Sequence, residues 1–286
     1  MRFLILGAGG QLATALEDTL AGESVLALAH EQADICDALS VGRHARGFRP
    51  EFVINTAAYH RVDECEGAPG PSFAVNAAAL AGLAGIANEL DAALVHFSTD
   101  YVFDGARSQP YRETDPPNPL SVYGISKLAG EQIVCRYARR YFLVRTCGLY
   151  GRRRQGSKSM NFVERMLRLA EARHPIRVVN DQVLTPTSAK DLAEALAGLL
   201  ATGKCGLYHM TNAGQCSWHE FAQEIFRLAG LPADLEPVSR AEYGAKAKRP
   251  AYSVLAHRAL REAGRPDLRP WQEALADYLR AERQGG

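Results

Sequence analysis

Tyr123 and Lys127, four apart in Tyr123-Gly124-Ile125-Ser126-Lys127, have the types and spacing of a proton-transfer pair. On a helix such residues share one face, about 5–6 Å apart at Cβ. A neighbouring ammonium favours the phenolate and lowers the tyrosine pKa, so the phenol can exchange a proton with a carbonyl oxygen near neutral pH. Upstream, Ser98-Thr99-Asp100 closes an apolar run, and a hydroxyl there could donate to the same carbonyl. Thr99, Tyr123 and Lys127 are therefore the expected catalytic set. The plainer alternatives are a surface i,i+4 pair and a strand-end threonine capping its own turn.

A second chemical signal comes earlier. Gly7, Gly10 and small Ala13 occupy the three positions of a glycine turn between an apolar run and a helical pattern. Such a turn bends tightly, lets the backbone approach a pyrophosphate and packs helix on strand, with the anion at the helix N-terminus. Dinucleotide binding is the expected role. An acid after the second strand usually holds a ribose hydroxyl, and an arginine accommodates a 2′-phosphate. Here the chain reads Ala29-His30-Glu31 and then Asp34-Ile35, which leaves NADPH and NADH both open. Asn55-Thr56-Ala57-Ala58-Tyr59 closes the third strand with small residues, as expected where a strand end faces a cofactor.

These residues need elements to position them. Apolar runs at 2–6, 25–29, 52–54, 92–97 and 141–145 read as strands, and 11–20, 72–90 and 121–139 as helices between several of them. Strands buried on both faces and separated by helices make an α/β, Rossmann-type doubly wound parallel sheet. Residues 1–150 are the expected NAD(P)-binding domain. Residues 151–286, with helices near 160–171, 188–200, 217–229 and 270–282 and short strands near 176–179 and 206–210, form a smaller substrate lobe, with elements passing between the two. The polar stretch 151–158 reads as a surface loop.

Composition narrows the class. With 33 basic and 32 acidic residues the formal charge is +1, which gives no sign of a nucleic-acid or polybasic membrane partner. The apolar runs are strand-sized, so no transmembrane helix is expected. Met1 leads straight into a strand, which leaves no room for a signal peptide. Six scattered cysteines without a CxxC pair suit reduced thiols, and the expected location is the cytoplasm. His219-Glu220 is followed by Gln223 where a zincin has histidine, so no metal site is expected. Trp218 and Cys147 read as packing residues.

The glycine turn, Ser98-Thr99-Asp100-Tyr101-Val102-Phe103-Asp104-Gly105 and Tyr123-x-x-x-Lys127 resemble the extended short-chain dehydrogenases, and within them the dTDP-4-dehydrorhamnose reductase family. The likeness continues through Arg145-Thr146, Asn161-Phe162, Pro186-Thr187, Ser217-Trp218 and Arg249-Pro250, spanning nearly the whole chain. It implies reduction of the C4 ketone of a nucleotide-linked 4-keto-6-deoxysugar by hydride from NADPH or NADH, in a monomer or homodimer. Gly7, Gly10, Gln11, Leu12, Asp34, Ile35, Ala57, Ala58, Tyr59, His60, Phe97, Tyr123 and Lys127 then belong to the cofactor. Thr99, Asp100, Gly148, Asn161 and Arg249 belong to the substrate, with Arg249 and the run Arg152 to Arg154 as candidates for its diphosphate.

The sequence also departs from that family. Gly148 stands where some members carry a substrate-stacking tryptophan, and Ala15 replaces a glutamate of a magnesium-bridged dimer, so no such metal bridge is expected. A dehydratase or epimerase on the same fold is a rival, but Tyr101 stands where a dehydratase has glutamate. A non-catalytic regulatory subunit resembling the methionine adenosyltransferase β subunit is the other.

Overall fold

A computed structural model of the chain describes residues 1–154 and 160–285. Six parallel strands make the central sheet: β1 (Arg2–Leu6), β2 (Ser24–Leu28), β3 (Phe52–Asn55), β4 (Ala93–Thr99), β5 (Tyr141–Thr146) and β7 (Gly206–His209), in the order β7-β5-β4-β3-β1-β2. All of β3 and β4 is buried, as strands covered on both faces require. The chain leaves β1 toward β2 on one side and continues from β3 to β4 on the other. That reversal opens a crevice beyond the carboxyl ends of β1 and β3.

Helices cover both faces. α1 (Gln11–Thr19) and α6 (Ala189–Leu200) pack on one, where Leu16, Leu192, Leu196 and Leu199 meet Phe3, Ile5 and Ile54. α2 (Ala38–Phe48), α3 (Pro69–Glu89) and α4 (Val122–Tyr137) cover the other. α2 was not among the expected helices; Asp37 caps it, accepting from Leu39 N and Ser40 N. By length and composition α3 could cross a membrane, contrary to the expectation of strand-sized apolar runs only. In the fold it is a core helix, with Leu80, Leu83, Ala84 and Ala87 completely buried.

The C-terminal half is divided between two layers. α6 and β7 join the sheet, so residues 189–209 lie on the nucleotide side of the boundary drawn at residue 150. Leu260, Ala263 and Leu268 also pack into the sheet core, while α5 (Phe162–Glu171), β6 (Ile176–Val179), α7 (Trp218–Ala229), β8 (Leu235–Val238) and α8 (Trp271–Gly285) build a second core around Phe221, Ile225 and Leu275. β6 and β8 pair in parallel. Of the stretch expected to be a polar loop, residues 155–158 lie outside the described residues.

Candidate active site

The glycine turn forms as its spacing demands. Gly7 takes φ +92°, and a Cβ there would fall 2.8 Å from Thr56 Oγ1 and 2.9 Å from the Ala57 amide nitrogen. Only glycine lets the turn lie this close to the end of β3. Gly9, at φ +85°, faces open space. Gly10 precedes α1 without a side-chain cap, so the first N–H groups of that helix stay available to an anion. Gln11 and Leu12 begin the helix, with the Leu12 side chain in the core. These features fit a dinucleotide pyrophosphate.

The other expected cofactor positions gather along the same carboxyl edge. Asp34 and Ile35 follow β2; Ile35 is buried, and Asp34 Oδ1 accepts from Cys36 N. Ala57, Ala58, Tyr59 and His60 follow β3, and Phe97 lies within β4. A π-helical turn at Ala74–Ala78 inside α3 adds Asn76, which sequence reasoning missed. Its amide accepts from Tyr59 N at 2.9 Å and donates to Tyr59 O and Ser126 Oγ, both at 3.0 Å, tying the loop after β3 to α4. Its signal was a polar residue in an otherwise alanine-rich helix.

Thr99 ends β4 and Tyr123 starts α4 behind the Ser121 cap. Gly124 explains the tyrosine's neighbour: a Cβ there would lie 2.3 Å from the Tyr101 carbonyl oxygen. The Thr99 hydroxyl and the Tyr123 phenol line the same small cavity. Thr99 also donates to Asp100 Oδ1 at 3.0 Å and accepts from Tyr101 N at 3.1 Å. Asp100 is buried, and Cys147 Sγ donates to its other oxygen at 3.0 Å. Burial raises the Asp100 carboxyl, against hydrogen bonds from Cys147, Ser253 and Thr99.

The electrostatics correct one expectation. Tyr123 is not lowered by Lys127; burial pushes its phenol above the usual value, with the Thr99 hydroxyl opposing. Lys127 is itself buried, which lowers its pKa to about 8 against the pull of Glu131. Its Nζ lies 3.2 Å from Nε2 of His96, and Nδ1 of His96 lies 3.2 Å from the Asn55 amide nitrogen. Asn55 Oδ1 accepts from Ala57 N at 3.1 Å, so a buried polar chain runs from Lys127 to the loop after β3. Sequence reasoning missed His96, because an apolar run does not show which face a histidine takes.

Two adjoining cavities open beside this set. The smaller, about 150 Å³, is lined by Thr99, Asp100, Tyr123, Cys147, Gly148 and Ser253 among others. The larger, about 790 Å³, runs between α5, β6 and the 240–249 segment. Among the described residues its wall carries Arg165, Arg177, Arg240, Lys248 and Arg249 and no carboxylate, although Arg177, Arg240 and Arg249 pair with Glu236, Asp181 and Asp63 behind it. Val62, Tyr101, Gln182 and Trp218 line both cavities and so form the neck between them.

Three expectations about the substrate side shift. Arg249 lines the larger cavity, but its guanidinium grips Asp63, with Nη2 to Oδ2 at 2.7 Å and Nη1 to Oδ1 at 3.1 Å. Asn161 lines neither cavity; it caps α5 in a capping box and its amide donates to Gln11 Oε1 and Tyr278 OH. Arg152, Arg153 and Arg154 pair with Glu282, Glu164 and Glu17 and also lie outside both cavity walls. Besides Arg249, the cations that line the larger cavity are Arg165, Arg177, Arg240 and Lys248, which no motif singled out.

A nucleotide-binding parallel sheet that carries a hydroxyl, a phenol and an amine at the ends of β4 and α4 has the architecture of a dehydrogenase or reductase. Residues 1–284 match the family described as RmlD substrate binding domain, and the chain belongs to that family. The expected resemblance is borne out by curated relatives. The chain is 45% identical over 282 residues to the spore coat polysaccharide biosynthesis protein SpsK of Bacillus subtilis, covering 97% of this chain and 96% of that one. It is 37% identical to a dTDP-4-dehydrorhamnose reductase of Burkholderia thailandensis, with 98% of each covered. Among solved structures, the dTDP-4-dehydrorhamnose reductase of Bacillus anthracis in complex with NADP superposes with a TM-score of 0.93 at 38% identity, over 98% of this chain and 99% of that one.

Proposed function

We propose that this protein reduces the C4 ketone of a nucleotide-linked 4-keto-6-deoxysugar, dTDP-4-dehydro-L-rhamnose in the first instance, to the alcohol at the expense of NADPH. The observation that carries the reading is the pairing of cavities: a small chamber holding Thr99 and Tyr123 opens into a cavity whose described wall carries five cationic side chains. A sugar pyrophosphate needs both, a neutral polar chamber for the ketose and guanidinium donors for its phosphates. The bound nicotinamide supplies the hydride.

The chain's own residues supply the rest. Thr99 donates toward the ketone oxygen and fixes its direction. Tyr123, kept protonated at neutral pH by burial, gives its proton to the oxygen as negative charge develops there. Lys127, one turn further along α4, holds the cofactor ribose. The glycine turn, the free N-terminus of α1 and the loop after β3 hold the dinucleotide. The division into a nucleotide-binding half (1–150) and a substrate lobe (151–286), with 189–209 returning to the sheet, belongs to the same reading. So do the assignments of Asp100, Gly148 and Arg249 to the substrate.

The test is direct. Purified protein given enzymatically prepared dTDP-4-dehydrorhamnose oxidises NADPH in step with ketone loss, and a parallel run with NADH fixes the cofactor preference. No turnover with any 4-keto sugar nucleotide would overturn the proposal.

A further inference from the structure

The neck between the two cavities contains one large aromatic surface supplied by the C-terminal lobe, the indole of Trp218. Its position is rigid. Ser217 pairs with Val183 across a short antiparallel bridge, and it caps α7 in a capping box with Glu220. One turn of backbone therefore fixes where the indole starts, and the Phe162 ring, 4.6 Å away between centroids, braces it. The indole remains half-buried, whereas Phe221 beside it is fully buried. Packing alone would not leave its ring on the wall of both cavities.

Across the small chamber, the wall at Gly148 has no side chain. Gly148 sits at φ +54°, and a Cβ there would press against Leu184 Cδ1 at 3.0 Å and Pro186 Cα at 3.2 Å, so that wall stays flat. The lining of the small chamber combines the polar Thr99, Asp100, Tyr123 and Ser253 with the small apolar groups of Val62, Val183, Leu184 and Pro250. A 6-deoxypyranose has hydroxyls and also apolar C–H faces and a methyl group. An indole offers a broad flat surface that matches the apolar part, which the aliphatic side chains around it do not.

We propose that Trp218 is a specificity-determining residue, the platform against which the pyranose of the nucleotide-linked sugar packs at the neck. The inference rests on the function proposed above and adds to it the residue that selects for the deoxysugar. A sugar attached to a diphosphate in the cationic cavity must pass this neck to bring its C4 carbonyl to Tyr123. The indole meets the ring on that path, and its loss weakens sugar binding while leaving the dinucleotide side untouched.

Two measurements test this. The chain contains two tryptophans, so Trp271→Phe, a change in the C-terminal core away from both cavities, leaves Trp218 as the sole indole emitter. Titration of that protein with dTDP-L-rhamnose should change the emission, and dTDP alone should change it much less. In otherwise wild-type protein, Trp218→Ala should raise KM for the sugar nucleotide about tenfold, with KM for NADPH unchanged, and Trp218→Phe should recover most of the loss. Silent emission with bound dTDP-L-rhamnose, or an unchanged KM in Trp218→Ala, would overturn the assignment of Trp218. Should Trp271→Phe fail to fold, the kinetic comparison decides alone. Wild-type protein that neither binds nor turns over the sugar nucleotide would instead overturn the functional reading, and this inference with it.

Discussion

Lys127 Nζ lies 3.2 Å from Nε2 of His96, in a site where both side chains are almost completely buried. The contact ties the amine of α4 to strand β4 and, through Asn55, to the Ala57 amide beside the glycine turn. In the proposed mechanism His96 acts on the cofactor through Lys127. His96→Phe should raise KM for NADPH by several-fold while the rate at saturation changes less, and His96→Gln, which keeps a polar partner, should restore most of it. Steady-state kinetics with NADPH as the varied substrate checks this, and equal KM values in both variants would count against the link.

The pKa of Lys127 sets a limit on the alkaline side. Burial lowers it to about 8, so the donating ammonium is present below that pH and is lost as pH rises through it. The groups facing it are His96 from β4 and, one turn away on its own helix, Glu131. The profile of kcat/KM, which reports the free enzyme, should therefore fall with an inflection near pH 8. In Lys127→Arg, whose charge persists to far higher pH, that limb should disappear even though the overall rate is low.

Tyr123 carries the proton transfer in the proposed mechanism. Tyr123→Phe removes the phenol and keeps the ring that meets Tyr101 edge-on at 6.1 Å. The rate of ketone reduction should fall by about 10²–10⁴-fold, with NADPH affinity close to that of the unaltered protein. Single-turnover kinetics together with a fluorescence titration of NADPH separates the two effects.

Asp63 and Arg249 join the segment after β3 to the 246–250 segment beside the wall of the larger cavity. Asp63 Oδ1 also accepts from Ala247 N at 2.9 Å. The Arg249 contact lowers the Asp63 carboxyl, so the link is intact at neutral pH and is lost as pH falls through the depressed value. Asp63 is about half exposed, so breaking the pair by Asp63→Asn should cost less than about 1 kcal/mol of stability. The expected effect is on the substrate: a higher KM for the sugar nucleotide with little change in melting temperature.

Glu131 and Arg145 form the opposite case. They make a bidentate pair, at 2.9 and 2.6 Å, with both side chains almost fully buried. Glu131→Ala strands the arginine charge and should destabilise the fold by about 3–5 kcal/mol in denaturant titrations. A loss under about 1 kcal/mol would show that Arg145 finds another partner.

Local pattern made much of this protein legible. The period of the apolar residues announced the strands, because a strand covered on both faces must be apolar along its length, as β3 and β4 are. Gly7 was legible because a left-handed φ against Thr56 and Ala57 admits no side chain. Thr99 was legible because it ends an apolar strand, and Tyr123 and Lys127 because their i,i+4 spacing puts them on one face of a helix. α2 was harder to read, since Gly42 and Gly47 interrupt it and its buried face is only Val41, Gly42 and Ala45.

Partnership was decided only by tertiary structure. Nothing within ten residues of Arg249 tells it to grip Asp63, 186 positions away, and nothing near Asn161 directs it to Gln11 and Tyr278. Burial had the same reach: it raises Tyr123 and lowers Lys127, where spacing alone suggested that the amine would lower the phenol. Sequence spacing fixes which side chains share a face, because helix and strand geometry are local. Which charges meet across the cavities, and how much water they keep, depends on segments brought together from the whole chain.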